Sequence, residues 1–170
     1  MNANGTETAG GNPATRKIVA LTIYREKGKP GQPLEEAGLL PGVGIVPDIA
    51  TVPDSDKAEG KKTKSSNREL CLITTKIKEW IKTHEEKGLC FKRFKEEILL
   101  TGVPGIPFDT AIHIGTAIIK TSKSPKGCHQ ECELYTLGGS CPLSGNAVFA
   151  NVVQEGIVRV GDAFSYCPLG

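Results

Sequence analysis

Short β-like runs separated by turn residues recur along this chain, and that alternation constrains its fold more than any other feature. Lys17 to Arg25 (KIVALTIYR) is rich in Ile, Val, Leu and Tyr, and Glu26-Lys27-Gly28-Lys29-Pro30-Gly31 ends it. Leu39 to Val46 is apolar but interrupted by Pro41, Gly42 and Gly44, which predicts one bent or bulged strand and no helix. Glu69 to Thr74 is a further strand. The pattern resumes at Leu89–Phe94, Ile98–Thr101, Ala111–Ile114, Ala117–Thr121, Ala147–Val153, Ile157–Val160 and Ala163–Tyr166. One stretch breaks the rule. In Thr75 to Lys87, Ile77, Trp80, Ile81 and His84 recur at helical spacing, and Gly88 stands where a left-handed end residue belongs. Trp80 and His84 on that stripe read as core or boundary residues. Many short strands around one clear helix predict a mainly β fold, a barrel with one or two short peripheral helices.

A chain of 170 residues is long enough for one domain with a real core and too short for two typical ones. Residues 1–15 are mostly Gly, Asn, Thr and Ala and read as a disordered tail, leaving 16–170 as the domain. That tail has no apolar stretch of the kind a secretory signal needs, so a cytoplasmic protein is expected. No apolar run approaches the roughly 18 residues of a membrane span. A net charge of +2 gives no strong field for nucleic acid, and 5% aromatics leave little for a base-stacking surface. Pro47 to Asn67 is a polar loop, and its lysines (Lys57, Lys61, Lys62, Lys64) read as a solvated stretch. Cys71, Cys90, Cys128, Cys132, Cys141 and Cys167 are expected to be reduced, with Cys71 in the core.

The chemistry is concentrated in Lys126-Gly127-Cys128-His129-Gln130-Glu131-Cys132, followed by Cys141. Thiolate is the reactive form of cysteine, and Lys120, Lys123 and Lys126 lie just upstream to favour it. A helical turn near Gln130 would place Cys128 at its N-terminal end, and its backbone N–H groups would lower the thiol's pKa further. Three readings stay open: a reactive thiol or soft-metal ligand, a structural zinc site from Cys128, His129, Cys132 and Cys141, or inert buried thiols. The zinc reading lacks the usual C-x2-C spacing. Gly138-Gly139-Ser140-Cys141 is either an anion nest of backbone N–H groups or a hairpin loop that needs glycine.

Taken together these motifs resemble the MOSC domain, named for the C-terminal part of molybdenum-cofactor sulfurases, in its small stand-alone bacterial form. The resemblance rests on Gly145-Asn146-Ala147-Val148-Phe149-Ala150-Asn151-Val152-Val153, on Glu155-Gly156-Ile157-Val158-Arg159-Val160-Gly161-Asp162, and on Cys128 to Cys132. It covers about Lys17 to Tyr166. It implies a barrel of the pyruvate-kinase-insert type and a cysteine that carries sulfur or ligates a molybdenum-pterin cofactor, as a sulfur transferase or a molybdenum-dependent reductase. Cys132 matches the metal-ligating position of some members and Cys128 the single key cysteine of others. His129 would tune the thiolate or shuttle a proton. Arg93 and Lys95 match a cofactor-binding R-F-R-P-N pattern, and Asp48 matches the Asp of G-D-x-H-A-G. Gly138 and Gly139 would add backbone donors. The sequence departs from the family at Ile49-Ala50-Thr51-Val52, where the expected histidine and glycine are missing, and at Glu97, whose carboxylate is expected to repel an anionic pterin phosphate. The chain has no room for a pyridoxal-phosphate domain, so a separate sulfur donor such as a cysteine desulfurase is implied. The alternatives are a non-catalytic cofactor carrier and a structural zinc domain.

Overall fold

The computed structural model describes residues 15–26, 28–53, 68–83, 95–123, 143 and 146–167. Eleven strands run in chain order: β1 (Lys17–Ile23), β2 (Gln32–Leu34), β3 (Glu36–Leu40), β4 (Gly44–Val46), β5 (Leu70–Thr74), β6 (Ile98–Thr101), β7 (Ala111–Ile114), β8 (Ala117–Thr121), β9 (Val148–Gln154), β10 (Gly156–Arg159) and β11 (Phe164–Tyr166). Among the described residues a 3-10 turn spans Ile49–Thr51, an α-helix, α1, spans Thr75–Thr83, and Leu143 and Asn146 are also helical. No helix there is long and apolar enough to cross a membrane. The expected tail, the strand at Leu89–Phe94, His84, Gly88 and the lysine-rich part of the loop before Arg68 lie outside the described residues.

Eight strands form one sheet in the order β11-β7-β8-β9-β5-β6-β1-β2, and β10-β3-β4 form a second. The large sheet curls until its far parts meet. Lys17 in β1 bridges to Ala163, just ahead of β11. Ile18 N–H donates to Asp162 O at 2.9 Å and Gly161 N–H to Ile18 O at 2.8 Å. This gives the Val160-Gly161-Asp162 ending a structural meaning. Gly161 takes φ +92°, and Asp162 Oδ2 accepts from Arg159 N–H at 2.8 Å, so the turn is locked while its backbone clasps β1.

Gly156 opens β10 for a different reason. A Cβ there would lie 2.5 Å from Ala117 N, because β10 runs tight against the Thr116–Ala117 turn. Gly156→Ala is therefore expected to lower stability by about 1–3 kcal/mol, the usual cost of overpacking a site closed by backbone, read as a lower urea midpoint at constant m-value.

Leu39–Val46 departs from expectation. It is two strands, not one bent strand: β3 and β4 pair antiparallel across a turn at residues 41–43, with Gly42 at φ +79° and Gly44 at φ +93°. The glycines reverse the chain instead of bulging it. β2 has no apolar alternation and is held by pairing with β1 (Leu21 opposite Leu34) and by Leu34 packing against the core.

Period-two alternation divides the large sheet's faces. Leu70, Leu72, Ile98, Leu100, Ile112, Ile114, Ile119 and Val148 point into the barrel and make its main core with Leu21, Leu39 and Phe164. Cys71 and Ile73 point outward, where they meet Ile77 and Ile81 of α1 together with Leu143 and Ala147, with Trp80, Leu99 and Phe149 partly buried against them. Ile77, Trp80 and Ile81 thus face the sheet as their spacing predicts. β5 and β6 are parallel, and α1 begins the crossover between them.

Candidate functional site

One level of the large sheet carries backbone from five strands in succession. Ser122 N–H, just past β8, donates to Phe149 O at 2.8 Å, and Phe149 in β9 stands opposite Cys71 in β5. Glu97 N–H, just ahead of β6, donates to Cys71 O at 3.0 Å, and Thr22 N–H in β1 donates to Glu97 O at 2.9 Å. Three strand spacings separate Ser122 from Glu97, roughly 14 Å at the usual interstrand distance.

Two parts of the chain that carry predicted site residues attach at this level. The stretch with Cys128, His129 and Cys132 follows Lys123 and rejoins the described chain at Leu143, which is buried in the outer cluster with Cys71. The stretch with Arg93 follows Thr83, the last residue of α1, and rejoins at Lys95. Cys128, His129, Cys132, Arg93, Gly138 and Gly139 themselves lie outside the described residues, as do Cys90 and Cys141.

Lys95 and Asp48 are described, and they belong to different parts of the barrel. Lys95 precedes β6 of the large sheet. Its Nζ sits over the Tyr24 ring, 5.4 Å from the centroid. Asp48 follows β4 of the small sheet. It is exposed and caps the 3-10 turn, its Oδ1 accepting from Ala50 N–H at 2.9 Å. The Asp48 match to the family pattern is thus also a local capping position.

Glu97, the residue expected to repel an anion, is turned into the protein. It is 7% exposed, and its Oε2 accepts from Cys71 N–H at 2.7 Å. The parallel β5–β6 ladder ends here, and the Glu97 carboxylate completes it by taking a donor that the departing chain no longer serves. Glu96 is equally buried and is ion-paired to Lys78 of α1. Both carboxylates are engaged within the protein, one by a backbone donor and one by an ammonium. Sequence reasoning missed Tyr24, Lys78 and Glu96. Only the Glu96-Glu97 doublet ahead of an apolar run hinted at them, since two carboxylates entering a strand need partners.

Tyr24 continues the β1 register beyond Ile23. Burial holds its phenol well above the ordinary value of 10.0, with the Glu96 and Glu97 carboxylates adding to the shift. A folded pKa above the unfolded one favours the native state fully below about pH 10 and progressively less as pH climbs toward the folded value. Wild-type stability is expected to fall above pH 10 more steeply than that of Tyr24→Phe, as followed by urea midpoints across alkaline pH.

Other described features stand apart. The Arg68 guanidinium lies 4.6 Å from the centroid of the Phe149 ring, a second cation on an aromatic face. A hollow of about 310 Å³ beside α1 is lined by Lys76, Ile77, Glu79, Trp80 and Thr83, none of them a predicted site residue. No group of three His, Cys, Asp or Glu side chains among the described residues is arranged to hold a metal. Cys71 is 4% exposed, as a core thiol should be, and Cys167 is half-buried.

A curled, mainly β barrel with the helix α1 on its outer face defines a protein of MOSC-type fold. The solved structures it resembles are YiiM from Geobacillus stearothermophilus (15% identity, 89% of this chain and 75% of that one, TM-score 0.56), YuaD from Bacillus subtilis (13%, 89% and 94%, TM-score 0.58) and YiiM from Escherichia coli (16%, 92% and 70%, TM-score 0.52). At these identities the likeness is one of fold. No protein-family model matches the sequence, and no curated protein does.

Proposed function

We propose that the protein acts in molybdenum-cofactor or sulfur-transfer chemistry, with Cys132 or Cys128 as the thiol that carries sulfur or ligates the metal. The observation that carries this reading is the attachment of the cysteine stretch and the Arg93–Lys95 stretch at one level of a MOSC-type sheet. A thiol that works on an anionic cofactor needs cations beside it, and the described residues next to the two stretches, Ser122 and Glu97, share one level of the sheet three strand spacings apart.

Lys95 is the described residue whose charge favours an anionic pterin, and Glu97 keeps its own negative charge nearby. Lys95 brings an ammonium, while Lys78 neutralises Glu96 and the Cys71 N–H engages Glu97. Lys95, Arg93 and the Gly138–Gly139 backbone would hold the anion, and Asp48 is the family-matched position on the small sheet. When bound, the group would supply molybdenum redox or sulfur-exchange chemistry. The chain's own contribution is a thiolate favoured by the neighbouring lysines, with His129 holding or releasing a proton near neutral pH. The sulfur itself would come from a separate donor protein such as a cysteine desulfurase.

Elemental analysis and thiol mass spectrometry on protein from its native host test the proposal. Molybdenum with a pterin, or a persulfide on Cys132 or Cys128, supports it. Stoichiometric zinc with unfolding on chelation replaces it with a structural zinc domain. Cofactor binding without turnover of N-hydroxylated substrates makes the protein a carrier.

A further inference from the structure

We infer that Tyr24 is the positioning residue for Lys95, its ring packed close to the Gly31 backbone and carrying the Lys95 ammonium so that the charge is held at the edge of the site. This rests on the reading of Lys95 as a cation that serves an anionic ligand.

Three observations support it. The Lys95 Nζ lies 5.4 Å from the Tyr24 ring centroid, within cation–π reach. The ring is also closely packed by backbone: a Cβ on Gly31 would lie 2.3 Å from Thr22 Cγ2, 2.7 Å from Tyr24 Cε1 and 2.9 Å from Cζ, so only glycine lets this backbone approach. Finally, the two buried carboxylates that follow Lys95 in sequence are occupied elsewhere, Glu96 by Lys78 and Glu97 by the Cys71 N–H. An ammonium beside an unengaged carboxylate would collapse onto it and be lost to a ligand. Here it rests on a neutral aromatic face, which fixes its direction and leaves its outward donors available. The ring, not the hydroxyl, does the positioning.

Competitive acetylation of the folded protein by acetic anhydride, resolved by mass spectrometry, reads Lys95 directly. Tyr24→Leu is expected to raise the Lys95 rate about two- to five-fold, the factor that loss of a part-exposed cation–π contact implies, while Tyr24→Phe stays near wild type. Gly31→Ala, whose Cβ would press on Thr22 Cγ2 and on the Tyr24 ring without deleting it, should raise the rate in the same direction. Inorganic pyrophosphate binding forms the second arm. Tyr24→Leu should weaken it by a similar factor, and should add nothing in a Lys95→Gln background. The proposal is overturned if the Lys95 rate is unchanged in Tyr24→Leu and Gly31→Ala, if Tyr24→Phe matches Tyr24→Leu, or if the two substitutions weaken binding additively. If the acetylation rates move as expected but the wild type binds no pyrophosphate, the positioning stands and the anion reading of Lys95 fails.

Discussion

Glu69→Ala is expected to cost about 3–5 kcal/mol, because one carboxylate holds two parts of the barrel together. Glu69 Oε1 accepts from Gly42 N–H at 2.9 Å, in the turn that joins β3 to β4, and Oε2 accepts from Val152 N–H at 2.9 Å, in β9. The first bond belongs to the small sheet and the second to the large one. A hydrogen bond to a charged group contributes roughly 1.5–3 kcal/mol, and truncation leaves two part-buried N–H groups without that acceptor. The same corner constrains Gly44, where a Cβ would lie 2.5 Å from Glu69 O. Repacking to compensate is therefore blocked by backbone. Urea unfolding should show the midpoint falling while the m-value holds. Glu69→Gln keeps one carbonyl oxygen and loses the charge, so its cost should fall between wild type and alanine. Equal costs for Gln and Ala would mean that the charge and not the geometry ties the sheets.

How much of this was readable in advance depends on the range of the forces involved. β6, β7 and β8 begin and end where the sequence places them, since Ile98–Thr101, Ala111–Ile114 and Ala117–Thr121 are apolar or β-branched runs closed by local turn residues. The mainly β class and the outer position of α1 follow from the same local signals. The β3–β4 hairpin was misread because Pro41, Gly42 and Gly44 disrupt a strand equally whether the chain bulges or reverses; the partner across the turn decides, and that partner is set by tertiary contacts such as Glu69. β2 has no local signature, being held by its register on β1 and by Leu34 against the core.

The site divides similarly. The candidate cysteines stand out by composition and proximity. The opposition of Tyr24 to Lys95, the pairing of Lys78 with Glu96 and the capture of the Cys71 N–H by Glu97 join residues far apart in the chain, and no local pattern announces them. Glu97 shows the consequence. Read as a letter in a motif it is a misplaced negative charge; in the sheet it is the acceptor that finishes a ladder.

The largest functional effect is expected from the two thiols of the Cys128–Cys132 stretch. Cys128→Ser/Cys132→Ser should lower sulfur acceptance from a persulfide donor by at least about a hundredfold, because a serine hydroxyl is not ionised near neutral pH and oxygen is a poor substitute for a thiolate nucleophile. Whichever single variant reproduces the double loss identifies the working thiol. Cys71 supplies the internal control. It is 4% exposed and packed against Ile73, Ile77 and Leu143, so donor-derived sulfur should not reach it in the folded protein. Cys71→Ala should leave acceptance intact and lower stability by about 1 kcal/mol through the small cavity it creates. Cys167, half-buried beyond β11, should label slowly and carry no transferable sulfur. Mass spectrometry of each variant after donor treatment resolves which of the six thiols carries sulfur. Persulfide confined to Cys71 or Cys167, with Cys128 and Cys132 both unmodified, would remove the chemical basis of the proposed function while leaving the MOSC-type fold as it is.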